Sequence, residues 1–201
     1  MDIAFSPTRP DTDSLAFAVA KGALSSLPLA ASATLVAGAA AARFTGEAGS
    51  SFESFVEEGG KIVRVVLVGT GSGSDADMER AGGALTAKLL SSGATHVAVE
   101  FVGDVTGEGA ARLGFGALLR SWRIDTYRTK LAEKAKPTLE TVTIVSSDAG
   151  AAWDRWAAVA AGVAFTRELV SEPANILYPE SFVERCRHLA DLGIKISVLD
   201  R

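Results

Sequence analysis

The chain is short of the residues that build cross-links and metal cages. It has one cysteine, Cys186, and two histidines, His96 and His188. A single thiol rules out an internal disulfide, and one thiol with two imidazoles falls short of a Cys/His zinc set drawn from this chain alone. The missing disulfide framework fits a reducing, cytoplasmic compartment. Long apolar runs are also lacking. The most apolar stretch, LPLAASATLVAGAAAA from Leu27 to Ala42, is alanine-rich and shorter than the roughly 20 residues of a bilayer span. It is read as a buried helix, and no membrane partner is expected. The N-terminus, MDIAFSPTRPDTD, shows no basic start leading into an apolar stretch, so no secretory signal is visible. Positive charge is not in excess either. Twenty Lys and Arg against 24 Asp and Glu leave a net charge of -4, which argues against wholesale nucleic-acid binding.

What is present is enough apolar matter for a core, 48% of residues, in alternating patterns. Ile3 to Ser6 and Asp13 to Ala20 read as strands, and Ser51 to Val56 alternates weakly before a turn at Gly59-Gly60. IVRVVLV, Ile62 to Val68, is β-branched and apolar almost throughout, as a strand buried on both faces would be. A glycine-serine loop follows, Gly69 to Ser74, then a helix over Asp75 to Leu90 ended by Gly93. Thr95 to Val102 is a strand, Glu108 to Trp122 a helix, and Leu139 to Val145 a further strand. Asp148 is placed as the cap of a long helix from about Ala151 to Val170, whose Trp153, Trp156, Ala160, Val163 and Val170 form one apolar face. Pro173 stops it. Pro179 and Glu180 open another helix with Phe182, Cys186 and Leu189 inward, and Gly193 ends that one. Ile194 to Leu199 alternates like a half-buried strand, either returning to the first sheet or opening a second one. Strand-helix alternation makes the class α/β.

Chemistry-bearing candidates are sparse. Gly69-Thr-Gly-Ser-Gly-Ser74 sits between a strand and a helix, where backbone amides can cradle a phosphate. Yet its sixth position is Ser74, and Asp75 and Asp77 put negative charge where a phosphate would lie, so a plain strand-to-helix loop is preferred. Asp75, Asp77 and Glu79 match no calcium loop and are ordinary for a helix's first turn. Arg112, Arg120, Arg123, Arg128, Lys130, Lys134 and Lys136, interleaved with Trp122 and Tyr127, could bind nucleic acid, but a solvated helix end and loop is the commoner meaning. His96 is assigned to a strand, His188 to a solvated helix face and Cys186 to core packing. No serine has a defensible His and Asp constellation. No catalytic, cofactor-binding or metal residue is assigned in this chain.

One junction is specific. RELVSEPANILYPESF, residues 167 to 182, resembles the segment joining the two domains of leucyl aminopeptidases, the cytosolic two-metal exopeptidases. Arg167, Leu169, Glu172, Pro173, Ala174, Asn175 and Pro179 match the family pattern; Ser171 stands where asparagine is usual. WRIDTYRTK from Trp122, RVVLVGTG from Arg64 and RAGGAL from Arg80 are similar to family stretches in order and spacing, over most of residues 60 to 201.

The resemblance implies a macro-like α/β N-terminal domain at 1–148, a linking helix at 149–171 and the beginning of the catalytic domain at 172–201, truncated after its first strand. It implies that the chain is the non-catalytic N-terminal portion of a hydrolase that releases N-terminal amino acids from peptides. In the full-length parent two divalent metals, manganese or zinc, activate a bridging water. That protein would be a cytoplasmic homo-hexamer, and this portion's partner is its own catalytic domain. The family's lysine and acidic metal motifs lie beyond the position of Arg201, so the 201 residues alone are expected to be inactive. Two readings stand beside this one: a free-standing macro-like module binding ADP-ribose or a nucleotide, and a nucleic-acid-binding domain, since some bacterial relatives bind DNA.

Overall fold

The computed structural model describes residues 1–199. The chain forms two compact units, residues 1–160 and the residues from Ala161 onward.

The first unit is built on one mixed six-stranded sheet. Its strands are β1 (Asp2–Ser6), β2 (Ser14–Ala20), β3 (Ser51–Glu58), β4 (Lys61–Gly71), β5 (His96–Val102) and β6 (Thr141–Val145), in the order β1-β6-β5-β2-β4-β3. All neighbours are parallel except β3 and β4, an antiparallel hairpin turned at Gly59-Gly60. The α/β class read from the sequence is therefore the one observed.

β2 is the centre of the sheet, paired to β4 on one side and β5 on the other. That position explains its composition. Leu15, Phe17 and Val19 point to one face and Ala16 and Ala18 to the other, and all are buried. The second face packs with Val66, Val68, Val97, Val99, Val142 and Ile144 against helices α2 (Asp75–Leu89) and α3 (Gly107–Ser121), through Leu85, Leu89 and Leu113. The opposite face is covered by α1 (Ser32–Ala41) through Leu35 and Ala39, helped by Leu27, Leu29 and Phe44.

The alanine run is helical over a shorter span than expected. Residues 27–31 form turns after Pro28, and only Leu35 and Ala39 of α1 are fully buried, so this helix is half-exposed rather than internal. β4 is longer than expected, running through Gly69 and Gly71 into the supposed loop.

Helix α4 (Gly150–Ser171) begins in the first unit, where Trp156 and Ala160 pack with Ala111 and Phe115 of α3. Asp148 does not serve it as a cap. Its carboxylate accepts from the Gly107 amide at the start of α3, at 3.2 Å, and from the Ser146 hydroxyl at 2.9 Å. Toward the C-terminus α4 loses its buried stripe: Val163 is half-buried and Val170 is 81% exposed.

In the second unit α4 stops just before Pro173, as expected, and α5 (Pro179–Cys186) starts at Pro179. The Tyr178 amide donates to Ser181 Oγ at 2.9 Å, closing α5's first turn. A 3-10 turn, Arg187–Leu192, follows and ends at Gly193 in the left-handed conformation, φ 83°. The inward face assigned to α5 is not buried: Phe182 is 46% exposed and Cys186 half-buried. Ile194 to Leu199 is not a strand. It is exposed throughout and pairs with no strand among the described residues. Its alternating pattern meets the side-chain requirement of a strand but not the need for a hydrogen-bonding neighbour. Asp200 and Arg201 lie outside the described residues.

Candidate functional site

The glycine-rich segment shows why sequence context alone is a poor guide to phosphate sites. Gly69 and Gly71 are strand residues held by a second segment: Gly49 N–H donates to Gly69 O, Gly69 N–H to Ser50 O and Gly71 N–H to Gly46 O. A Cβ on Gly69 would lie 2.0 Å from Glu47 O, so glycine here serves a close backbone approach. The remaining turn is already occupied. Asp77 accepts from the Ser72 hydroxyl at 2.7 Å and the Ser72 amide at 3.1 Å, and pairs with Arg80 at 3.1 Å. The Ser72 hydroxyl and amide, then Ser74 and Arg80, hold this carboxyl below its ordinary range. An internal carboxylate sits where an anionic ligand would have to bind, so the loop is a closed structural turn.

The acidic start of α2 is likewise spent. Arg112 of α3 reaches Asp75 at 2.9 Å, Glu79 at 2.5 Å and its own-helix Glu108 at 3.0 Å. Its guanidinium stacks 3.6 Å from the centroid of the Trp156 ring, whose Nε1 donates to Glu108 at 3.0 Å. Burial works against the charge on Arg112, but Glu79, Glu108 and Asp75 outweigh it and raise its pKa further. The cluster ties α2, α3 and the first turns of α4 together. Local spacing shows Asp75 and Glu79 as a helix's acidic first turn; their cation, more than 30 residues away, leaves no local signal.

The basic stretch is divided in space. Arg112 is absorbed by that cluster, while Arg123 donates to Asp125 at 2.7 Å and to Ala135 O at 3.1 Å. Arg128 shares Asp125 at 3.5 Å, and Lys136 pairs with Glu133 at 2.6 Å. His96 lies within 2.9 Å of Thr143 Oγ1 across β5 and β6, half-buried on its strand as expected. His188 is exposed but not simply solvated: its ring stands edge-on to Phe165 at 4.9 Å, with Nδ1 2.7 Å from Arg185 O. Pattern reading missed an open cleft of about 550 Å³ at the amino ends of β2 and β5, lined by Asp11, Asp13, Arg64 and His96. Arg64 Nη1 is buried there without a hydrogen bond, 3.7 Å from Glu53.

Among the described residues no three His, Cys, Asp or Glu side chains converge as a metal site. The carboxylates nearest to such a set, Asp75, Asp77 and Glu79, are engaged by Arg112, Ser72 and Arg80. Among the described residues, therefore, no such set fits a dimetal centre.

A mixed sheet with this strand order, followed by a long helix and a proline-marked junction, can be set against known families. The N-terminal domain model of the cytosol aminopeptidase family matches residues 17–131. This chain belongs to the cytosol aminopeptidase family. The probable cytosol aminopeptidase of Afipia carboxidovorans is 38% identical over 173 residues, covering 81% of this chain and 34% of that protein. The corresponding protein of Caulobacter vibrioides is 38% identical over 166 residues, covering 80% of this chain and 33% of that one. The chain thus spans about a third of the length of the curated relatives it matches. In fold it is similar to a tomato leucine aminopeptidase mutant, with a TM-score of 0.77 at 24% identity over 96% of this chain and 42% of that one. It is also similar to the bottromycin maturation enzyme BotP in complex with Mn, with a TM-score of 0.70 at 22% identity over 90% of this chain and 36% of that one.

Proposed function

We propose that these 201 residues are the non-catalytic N-terminal portion of a metal-dependent aminopeptidase. In this reading residues 1–148 are the N-terminal domain, 149–171 a linking helix and 172–201 the beginning of the catalytic domain. The peptidase chemistry, removal of N-terminal amino acids from peptides, belongs to the two thirds of the family's length that this chain does not span. The observation that carries the reading is the match of residues 17–131 to the family's N-terminal domain, in a chain that covers 34% of its Afipia relative. The domain that follows would supply the ligands for two divalent ions, manganese or zinc, which lower the pKa of a bound water and polarise the substrate carbonyl. The Mn complex of BotP, a protein of similar fold, supports manganese as one such ion. Assembly as a hexamer and residence in the cytoplasm go with the same reading. No helix among the described residues is long and apolar enough to cross a membrane.

The test is a hydrolysis assay. The purified 201-residue protein, given Mn²⁺ and a leucine anilide, is expected to show no turnover, whereas a chain extended to the length of the relatives hydrolyses it. Metal-dependent turnover by the short protein, or none by the extended one, would overturn the proposal.

A further inference from the structure

Beyond this reading, and independent of it, stands a cluster of guanidinium groups with no role in the fold's core. A cleft of about 360 Å³ opens where α2 and α3 end, lined by Leu90 and Ser91 on one side and by Arg120, Arg123, Asp125 and Arg128 on the other. Arg123 is locked in place by Asp125 and Ala135 O, and Arg128 leans on the same carboxylate. Arg120 is exposed and makes no ion pair among the described residues. The lining thus holds three cations and one carboxylate, which only Arg123 and Arg128 touch, a local surplus of two.

Helix ends account for part of that surplus. The C-termini of α2 and α3 each carry about half a negative charge, which brings the local balance to about +1. Lys88, in the last turn of α2, pairs with Glu53 at 2.8 Å, and Arg120 lies in the last turn of α3, with Arg123 and Arg128 beyond its end. The surplus continues outward. From Arg120 to Lys136 there are six cations, three Arg and three Lys, against Asp125 and Glu133, a local balance of +4 on a chain whose net charge is -4. Such polarity concentrates anions at one place on an otherwise acidic molecule.

We propose that this cleft binds a compact phosphoryl oxyanion, free or carried by a small molecule, between Arg120 and Arg128. Planar guanidinium forks suit the paired oxygens of a phosphoryl group. A cleft with cations on one rim suits a small anion better than a tracked polymer backbone, which needs a row of contacts along a surface.

The experiment is calorimetric titration of the 201-residue protein with inorganic pyrophosphate at low salt. Saturable binding below millimolar ligand is expected, weakened by about tenfold or more in the double variant Arg120→Ala/Arg128→Ala. Should the double variant fail to fold, Arg120→Gln alone is read by the same criterion, since Arg120 is exposed. No binding at millimolar pyrophosphate, or equal binding by the variant, overturns the proposal. A single-stranded DNA oligonucleotide that binds and is not displaced by pyrophosphate also overturns it, making the patch a nucleic-acid surface.

Discussion

The two units use the same local rules and end with opposite interiors. In the first, strand alternation and helix stripes converge on a sheet whose two faces bury Phe17, Leu35, Leu67, Leu85 and Leu113 almost completely. In the second, no described residue from Ala161 onward is buried, and Val170, Tyr178, Phe182, Leu192, Ile194, Val198 and Leu199 are each more than 45% exposed. Its order comes from the proline-started α5, from Gly193 and from Arg185, which bridges Glu168 at 3.2 Å and Glu172 at 3.0 Å. Burying a leucine contributes about 1.5–3 kcal/mol, while an exposed ion pair contributes about 0–1 kcal/mol. Good caps and good pairs shape a segment, but only removal of apolar surface from water makes it an independent folding unit.

The sharpest way to break this comparison is to force the first unit's tightest contact apart. Gly116 on α3 faces Glu79 on α2 so closely that a Cβ would lie 2.0 Å from Glu79 O, and Gly82 meets Leu113 O at 1.9 Å in the reciprocal contact. No side-chain rotation relieves a clash with backbone. Gly116→Val is expected to cost more than about 4 kcal/mol, the rare class of substitution, and to leave no cooperative urea transition. A folded variant within 1.4 kcal/mol of wild type, about a tenfold change in the equilibrium, would show that α2 and α3 slide freely.

A matched pair of truncations sharpens the same contrast. Leu85 is fully buried against the sheet and Leu192 is 73% exposed. Leu85→Ala is expected to cost about 2–5 kcal/mol and Leu192→Ala no more than about 0.5 kcal/mol in chemical denaturation. Equal effects would mean that the second unit has an interior of its own.

The pattern of what could be read beforehand follows the same division. The sheet strands and α2, α3 and α5 were legible because caps, β-branched runs and prolines act within a few residues. The role of Gly69 and Gly71 was not, because it depends on residues 46–50 approaching from elsewhere in the fold. Asp148 stands next to α4 in sequence, yet its carboxylate accepts from the Gly107 amide at the start of α3, 41 residues earlier in the chain. The Arg112 cluster joins three helices and has no local signature. Ile194 to Leu199 had the local pattern of a strand and lacks a partner among the described residues.

A smaller effect separates loop chemistry from core packing. The Ser72 hydroxyl and amide hold the Asp77 carboxyl below its ordinary value, so its ionised form is favoured in the folded chain. The stability this contributes is present above about pH 4, the unfolded range, and is lost as pH falls through the lower folded value. Asp77→Asn is therefore expected to be less stable at neutral pH and to lose less on acidification below about pH 4. Parallel pH profiles of wild type and variant would show that Asp77 does not anchor the turn.

The gentlest probe tests whether the second unit is held by pairs alone. Arg185→Ala removes both carboxylate contacts, one of them to Glu172, whose side chain is only 8% exposed. A helix of eight residues is marginal without tertiary support, so α5 depends on whatever ties it to its neighbours. Amide exchange in α5 is expected to quicken about fivefold, about 1 kcal/mol of local opening, while the global denaturation midpoint stays put. If the midpoint moved with the local exchange rate, α5 would unfold only with the sheet, and the two units would be one cooperative body despite the empty interior of the second.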